Sequence, residues 1–169
     1  MNRYFLSLKQ SLLAIVLAVF IAPAHAAPFA KGDVGVSLLV GSGQAFNDSY
    51  TIVGAGIGYF VADGLKLGIN AETWLGGDVS INKFSPQVQY VMAREEKLKP
   101  YLGIFYRKTS IEGFEDLDAA GGRAGVFLSQ QRGYYLSIGV VHESYLSCDE
   151  AVFVSCSDTY PEITFTFSL

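Results

Sequence analysis

Three features of this sequence predict an all-β fold, an eight-stranded antiparallel up-and-down β-barrel that crosses a membrane. The first is the final stretch, 159–169. It alternates Pro161, Ile163, Phe165, Phe167 and Leu169 with Glu162, Thr164, Thr166 and Ser168. Side chains alternate across a strand, so this stretch has one apolar face and one small, polar face. In water its edge would invite aggregation; in a closed barrel with the apolar face in lipid, the edge disappears. The second feature is the return of the same alternation upstream, between turns rich in Gly, Asn and Asp. The third is composition: 18 Gly, 12 Phe, 10 Tyr and only 5 Pro, with little helical periodicity after residue 30.

Residues 1–26 read as a signal peptide and 27–169 as the barrel domain. Arg3 and Lys9 precede the apolar run LLAIVLAVFIA, and Ala24-His25-Ala26 supplies a small-x-small cleavage pattern. The run is short for a spanning helix, which needs about 20 apolar residues. Cleavage after Ala26 leaves 169 − 26 = 143 residues, one domain. No later stretch approaches a transmembrane helix, so any span must be made of strands. Removing Arg3 and Lys9 leaves 10 basic and 16 acidic residues, a net charge of 10 − 16 = −6, which argues against nucleic acid as a partner. No cofactor is expected.

The strands fall in order. Over 33–41, Val34, Val36, Leu38 and Val40 share a face, with Leu39 an apolar exception opposite. After a loop at 41–50, strand 51–61 sets Val53, Ala55, Ile57, Tyr59 and Val61 against Gly54, Gly56 and Gly58, as a crowded interior demands. Asp63-Gly64 makes a tight turn. Strand 65–75 turns Leu65, Leu67, Ile69 and Ala71 outward, and Lys66, Gly68, Asn70 and Glu72 inward. Strand 84–92 alternates Phe84, Pro86, Val88 and Tyr90 with Ser85, Gln87 and Gln89. A charged connection, 93–100, leads to strand 101–108, where Leu102, Ile104 and Tyr106 oppose Gly103, Phe105 and Arg107. The acidic loop 109–118 precedes strand 119–129, with Ala124, Val126 and Leu128 opposite Arg123, Gly125 and Phe127. Strand 134–144 sets Tyr134, Leu136, Ile138 and Val140 against Ser137, Gly139 and Glu143. The longest loop, 144–158, leads to the last strand.

Longer and shorter connections alternate strictly. Bacterial outer-membrane barrels have an even strand number, short periplasmic turns and longer outside loops, which puts both termini in the periplasm of a Gram-negative cell. Tyr59, Tyr90, Tyr134 and Phe167 lie outward near the short turns and suggest an aromatic girdle. A soluble lipocalin-like barrel would have its apolar residues inside; here the charges share a face with the small residues. The signal peptide, GYFVADGLKLG, LKPYLGIFY and the terminal ITFTFSL together resemble the small outer-membrane β-barrel superfamily that includes outer-membrane proteins A and X. The resemblance implies that the last strand, with Phe165, Phe167 and Leu169, is the signal read by the barrel-insertion machinery. The family's usual terminal aromatic is replaced by Leu169.

Four constellations are candidates for function. Glu72, Arg107, Arg123, Glu143 and Glu162 all point inward and are expected to meet as Arg–carboxylate pairs, with Gln87 and Gln89 joining. They form either a gate or a packed polar core, and the interior of an eight-stranded barrel can be filled by side chains. Cys148 and Cys156 suggest a disulfide, permitted in an oxidising compartment. Two cysteines alone lack the ligands of a metal site. The bridge would hold 151–154 either as an apolar contact tip or folded over the barrel mouth. His142 and Ser144, both outward, look like part of the His-x-Ser arrangement of the outer-membrane lipid A deacylases, with His142 as base and Ser144 as nucleophile. Yet Tyr145 stands where that family has Asn, Glu162 points inward, and Thr159 lies where an orienting carboxylate belongs. Finally, Asp48, Asp78, Glu112, Glu115, Asp116, Asp118, Asp149, Glu150 and Asp158 make the long loops acidic, and Arg94, Lys97, Lys99 and Arg132 make the short turns basic. No metal-binding loop is recognisable among them.

The expected function is a porin-like but plugged barrel with a structural or surface-interaction role. Its partners would be membrane lipid, lipopolysaccharide and an extracellular protein. The alternatives are a narrow channel for ions or small solutes and a lipid A deacylase.

Overall fold

The computed structural model describes residues 28–45, 48–92, 98–131, 133–146, 148 and 155–169. The regular elements among them are strands: β1 (Val34–Ala45), β2 (Asp48–Ala62), β3 (Leu65–Leu75), β4 (Ile81–Val91), β5 (Leu98–Ile111), β6 (Leu117–Gln131), β7 (Tyr134–Tyr145) and β8 (Ser157–Ser168). Each pairs antiparallel with its sequence neighbours, and β1 pairs with β8 to close an up-and-down barrel. The expected signal peptide, 1–26, lies outside the described residues.

The strands run longer than their turn chemistry suggested. The loop expected over 41–50 is mostly strand, because β1 reaches Ala45 and β2 begins at Asp48. Likewise β4 starts at Ile81, and β5 and β6 stay paired up to Thr109↔Leu117. Gly, Ser and Asn are poor strand formers in isolation, but each added ladder pair satisfies backbone groups on two strands at once. At the short-turn end, Gly64 and Gly133 take left-handed backbones, φ 76° and 94°, that tight reversals require.

The face assignment is inverted relative to a soluble protein. Leu38, Ile57, Leu67, Val88, Ile104, Ile138 and Ile163 are exposed on the outer wall, while Lys66, Glu72, Lys83, Arg107, Arg123, Glu143 and Glu162 are buried inside. Along β4 the alternation of buried and exposed side chains is unbroken. An apolar belt around a closed sheet with a charged interior is stable only with lipid outside. Tyr59, Tyr90, Tyr134 and Phe167 are all exposed near the short turns, forming the expected girdle. Phe165 and Phe167 face outward on β8, and the Leu169 amide donates to Val34 O at 2.9 Å.

Small residues make room for the large ones inside. Gly125 and Gly139 are cross-strand partners, and a Cβ on Gly125 would come within 2.8 Å of the Tyr101 hydroxyl. On β2, a Cβ at Gly54 would meet Glu72 Cγ at 2.9 Å, and one at Gly58 would meet Lys66 Cδ at 2.6 Å. The β2 glycines are therefore the space that the β3 charges occupy.

Candidate functional site: the filled lumen and its two ends

The five inward charges do not meet as one group. They form two layers. In the layer nearer the long loops, Arg107 is fully buried and every guanidinium nitrogen is engaged. Its Nε donates to Ser85 Oγ (2.8 Å), Nη1 to Glu143 Oε2 (2.6 Å) and to the Tyr160 hydroxyl, and Nη2 to Glu72 Oε1 (2.9 Å). Lys83 completes this knot, donating to Glu143 Oε1 at 3.1 Å and lying 4.5 Å from the Trp74 ring centroid. In the second layer, nearer the short turns, Arg123 pairs with Glu162 at 3.2 Å, and Gln87 donates to Asn70. Gln89 is buried beside them. Phe105 separates the layers, its ring 4.7 Å from the Arg107 guanidinium and 5.1 Å from that of Arg123.

The buried charges balance. Among the described residues, Lys66, Lys83, Arg107 and Arg123 face Asp33, Glu72, Glu143 and Glu162. A lumen neutral in sum gives neither cations nor anions a field to follow.

Sequence reasoning missed several of these residues. Lys83 lies outside the strand expected over 84–92, and Tyr160, of the same parity as Glu162, carries no charge to mark it as a lumen residue. The floor at the short-turn end is also new: Phe29, Phe60, Val91, Tyr101, Phe127 and Tyr135 pack together inside the barrel. Five of these have inward parity on their strands, and only Phe29 comes from outside the sheet.

At the long-loop end, Cys148 and Cys156 are joined, with Cα atoms 5.6 Å apart. The tip they enclose, 151–154, lies outside the described residues. Tyr145 N donates to Cys156 O, and the Tyr145 hydroxyl to Asp158 (2.8 Å), anchoring the base of this loop. Converting both cysteines to Ser is expected to cost up to about 2.5 kcal/mol, readable as a lower denaturant midpoint. Of the loop acids, Asp48 accepts from the Asp78 amide and Asp116 pairs with Lys108 at 3.1 Å. The Lys108 hydrogen bond holds the Asp116 carboxyl below the usual carboxylate range. Among the described residues no group of three or more His, Cys, Asp and Glu side chains is arranged to hold a metal ion.

His142 and Ser144 are both exposed on the outer wall, as their parity predicts. The cross-strand neighbours of His142 are Gly122 and Thr159, and its Nδ1 lies 2.8 Å from Thr159 Oγ1. A hydroxyl thus occupies the place where a base-orienting carboxylate would stand. His142 borders an open groove of about 610 Å³ lined by Leu65, Val88, Leu102, Ile104 and Val140, an apolar trough in the lipid-facing wall.

With barrel closure, apolar belt and polar interior established, the fold is that of the small outer-membrane β-barrels. Solved structures similar to it include the N-terminal β-barrel domain of Pseudomonas aeruginosa OprF, at TM-score 0.66 and 15% identity, covering 82% of this chain and 98% of that one. Neisserial surface protein A is similar at TM-score 0.55 and 13% identity, covering 81% and 95% respectively. The outer membrane protein OprG from Pseudomonas aeruginosa is similar at TM-score 0.52 and 15% identity, covering 83% and 97%. No family model and no curated protein sequence matches the chain.

Proposed function

We propose that this chain is an integral outer-membrane barrel of the Gram-negative envelope, non-conducting and non-enzymatic, acting in membrane integrity or surface contact through its long-loop end. The short turns and both termini face the periplasm, and the loops face outward toward lipopolysaccharide and an extracellular protein partner. Phe165 and Phe167 of β8, with Leu169 just after it, form the signal that the insertion machinery reads. The observation that carries the closed-lumen reading is the Arg107 knot, which ties β3, β4, β5, β7 and β8 together across the interior. A narrow channel would instead need a continuous hydrated path past that knot.

Reconstituted in planar bilayers, the protein is expected to show no steady conductance, before or after Glu72→Gln. Steady current that rises on neutralisation would establish the channel instead. The Thr159 partner of His142 supports the non-enzymatic reading. Incubation with lipopolysaccharide is expected to leave the lipid mass unchanged; loss of an acyl chain, abolished by His142→Ala, would make the protein a deacylase.

A further inference from the structure

Buried polar atoms without a protein partner lie in both parts of the lumen: the Tyr50 hydroxyl, Trp74 Nε1 and Thr109 Oγ1 toward the long loops, and a group gathered around one ion pair toward the short turns. Around Arg107 each nitrogen has a partner. In the layer nearer the short turns, Arg123 Nε and Nη2, Glu162 Oε2, Gln87 Oε1 and Thr166 Oγ1 are buried without a protein partner. Buried polar atoms are as a rule matched by protein or by ordered water. This layer therefore has the chemistry of a small wet compartment, and what separates it from bulk solvent at the short-turn end is the aromatic floor.

The residue that completes that floor does not belong to a strand. Phe29 sits in the turn preceding β1, 3% exposed, with its ring centroid 4.6 Å from that of Tyr135, 5.3 Å from Phe127 and 5.7 Å from Phe60. Its backbone is left-handed, φ 64°, a conformation that a bulky side chain adopts only when its surroundings impose it. A few hydrogen bonds hold the segment: Gly64 N to Phe29 O (2.7 Å), Gly32 N to Phe60 O (2.9 Å), Phe60 N to Asp33 O (2.9 Å) and Lys31 N to Asp63 Oδ1 (2.8 Å). Asp33 is the fastener. One of its oxygens accepts from the Phe29 amide at 2.9 Å and the other from Ser168 Oγ at 2.6 Å, so one buried carboxylate joins the segment to the end of β8. Swinging this segment away breaks the two bonds to Phe60 of β2 but none of the registered β1–β2 pairs, which begin at Val34.

We propose that residues 28–33 are a displaceable cork: Phe29 closes the short-turn mouth of the barrel, Asp33 latches it to β8, and its release admits water to the Arg123–Glu162 compartment from that end alone. The Arg107 knot stays shut, so opening the cork wets the lower lumen without making a pore. This rests on the closed-lumen reading, and the two are separable by experiment.

The probe is a thiol placed in the compartment. Ser137 is buried, points inward on β7 and lies between Phe127 and Thr164 in register, so Ser137→Cys is nearly isosteric there. Labelling by a charged, water-soluble thiol reagent is measured on the full barrel in lipid vesicles under non-reducing conditions, with heat-modifiable gel mobility confirming the fold. Ser137→Cys alone is expected to react slowly, and the same variant carrying Phe29→Ala at least about tenfold faster. Asp33→Ala, which removes both acceptor oxygens of the latch and leaves every ring in place, should also accelerate labelling, and it supplies the comparison if Phe29→Ala does not fold. In planar bilayers both variants should remain silent. Equal labelling with and without the cork residues would overturn the proposal, as would steady current from Phe29→Ala. Steady current from the unaltered protein would instead defeat the closed-lumen reading.

Discussion

Arg107→Ala is expected to destabilise the barrel by about 3–5 kcal/mol, the cost of leaving a buried charge without its partner. The substitution strands Glu72, whose only described cation contact is Arg107 Nη2, and removes one of the two cations on Glu143, leaving Lys83. It also takes donors away from Ser85 and Tyr160. Urea unfolding in lipid vesicles reads the loss as a shift in midpoint. The double variant is the sharper test. Glu72→Ala with Arg107→Ala removes both members of a pair and leaves Lys83 with Glu143, so it should cost clearly less than the sum of the singles. Simple additivity would mean that the knot is not a coupled unit.

The second large effect lies on the opposite face of the sheet. Ile104 is 68% exposed, midway along the outward apolar run of Leu102, Ile104 and Tyr106 on β5. In a soluble protein a charge there would be harmless. In the bilayer, Ile104→Arg is expected to cost about 2–4 kcal/mol, as for Arg near the midplane of a barrel wall. The same unfolding assay reads it, with Lys108, exposed above the belt, as the position where a cation is tolerated.

The faces of the barrel were legible because a strand has a period of two. Once Leu65, Leu67 and Ile69 define the outside, Lys66, Asn70 and Glu72 must be inside, and the same logic turned Arg107, Arg123, Glu143 and Glu162 inward without any knowledge of contacts. Which inward residues meet was not legible. Position along a strand is not height along the barrel axis, because the strands tilt and their register is staggered. Arg107 and Arg123 each found carboxylate partners, as expected, but in separate layers. Lys83 was lost for a different reason: Ser80-Ile-Asn-Lys83 carries weak strand signals, and only pairing with β3 and β5 fixes it in the sheet. Phe29 left no periodic trace at all. Its place depends on Phe60, Phe127 and Tyr135 arriving from three strands, a tertiary fact that no local pattern encodes.

The central claim is that apolar side chains face lipid while the polar face is sealed inside. Spin labels placed singly along β4, from Ile81 to Val91, test it most directly by their accessibility to oxygen dissolved in lipid and to an aqueous nickel reagent. Labels at 82, 84, 86, 88 and 90 occupy exposed positions, and those between them buried ones. Labels at 84, 86, 88 and 90 are expected to be reached by oxygen, and the odd-numbered positions to be shielded from both reagents. Even positions reached by nickel in place of oxygen, or odd positions open to nickel along the whole strand, would contradict it.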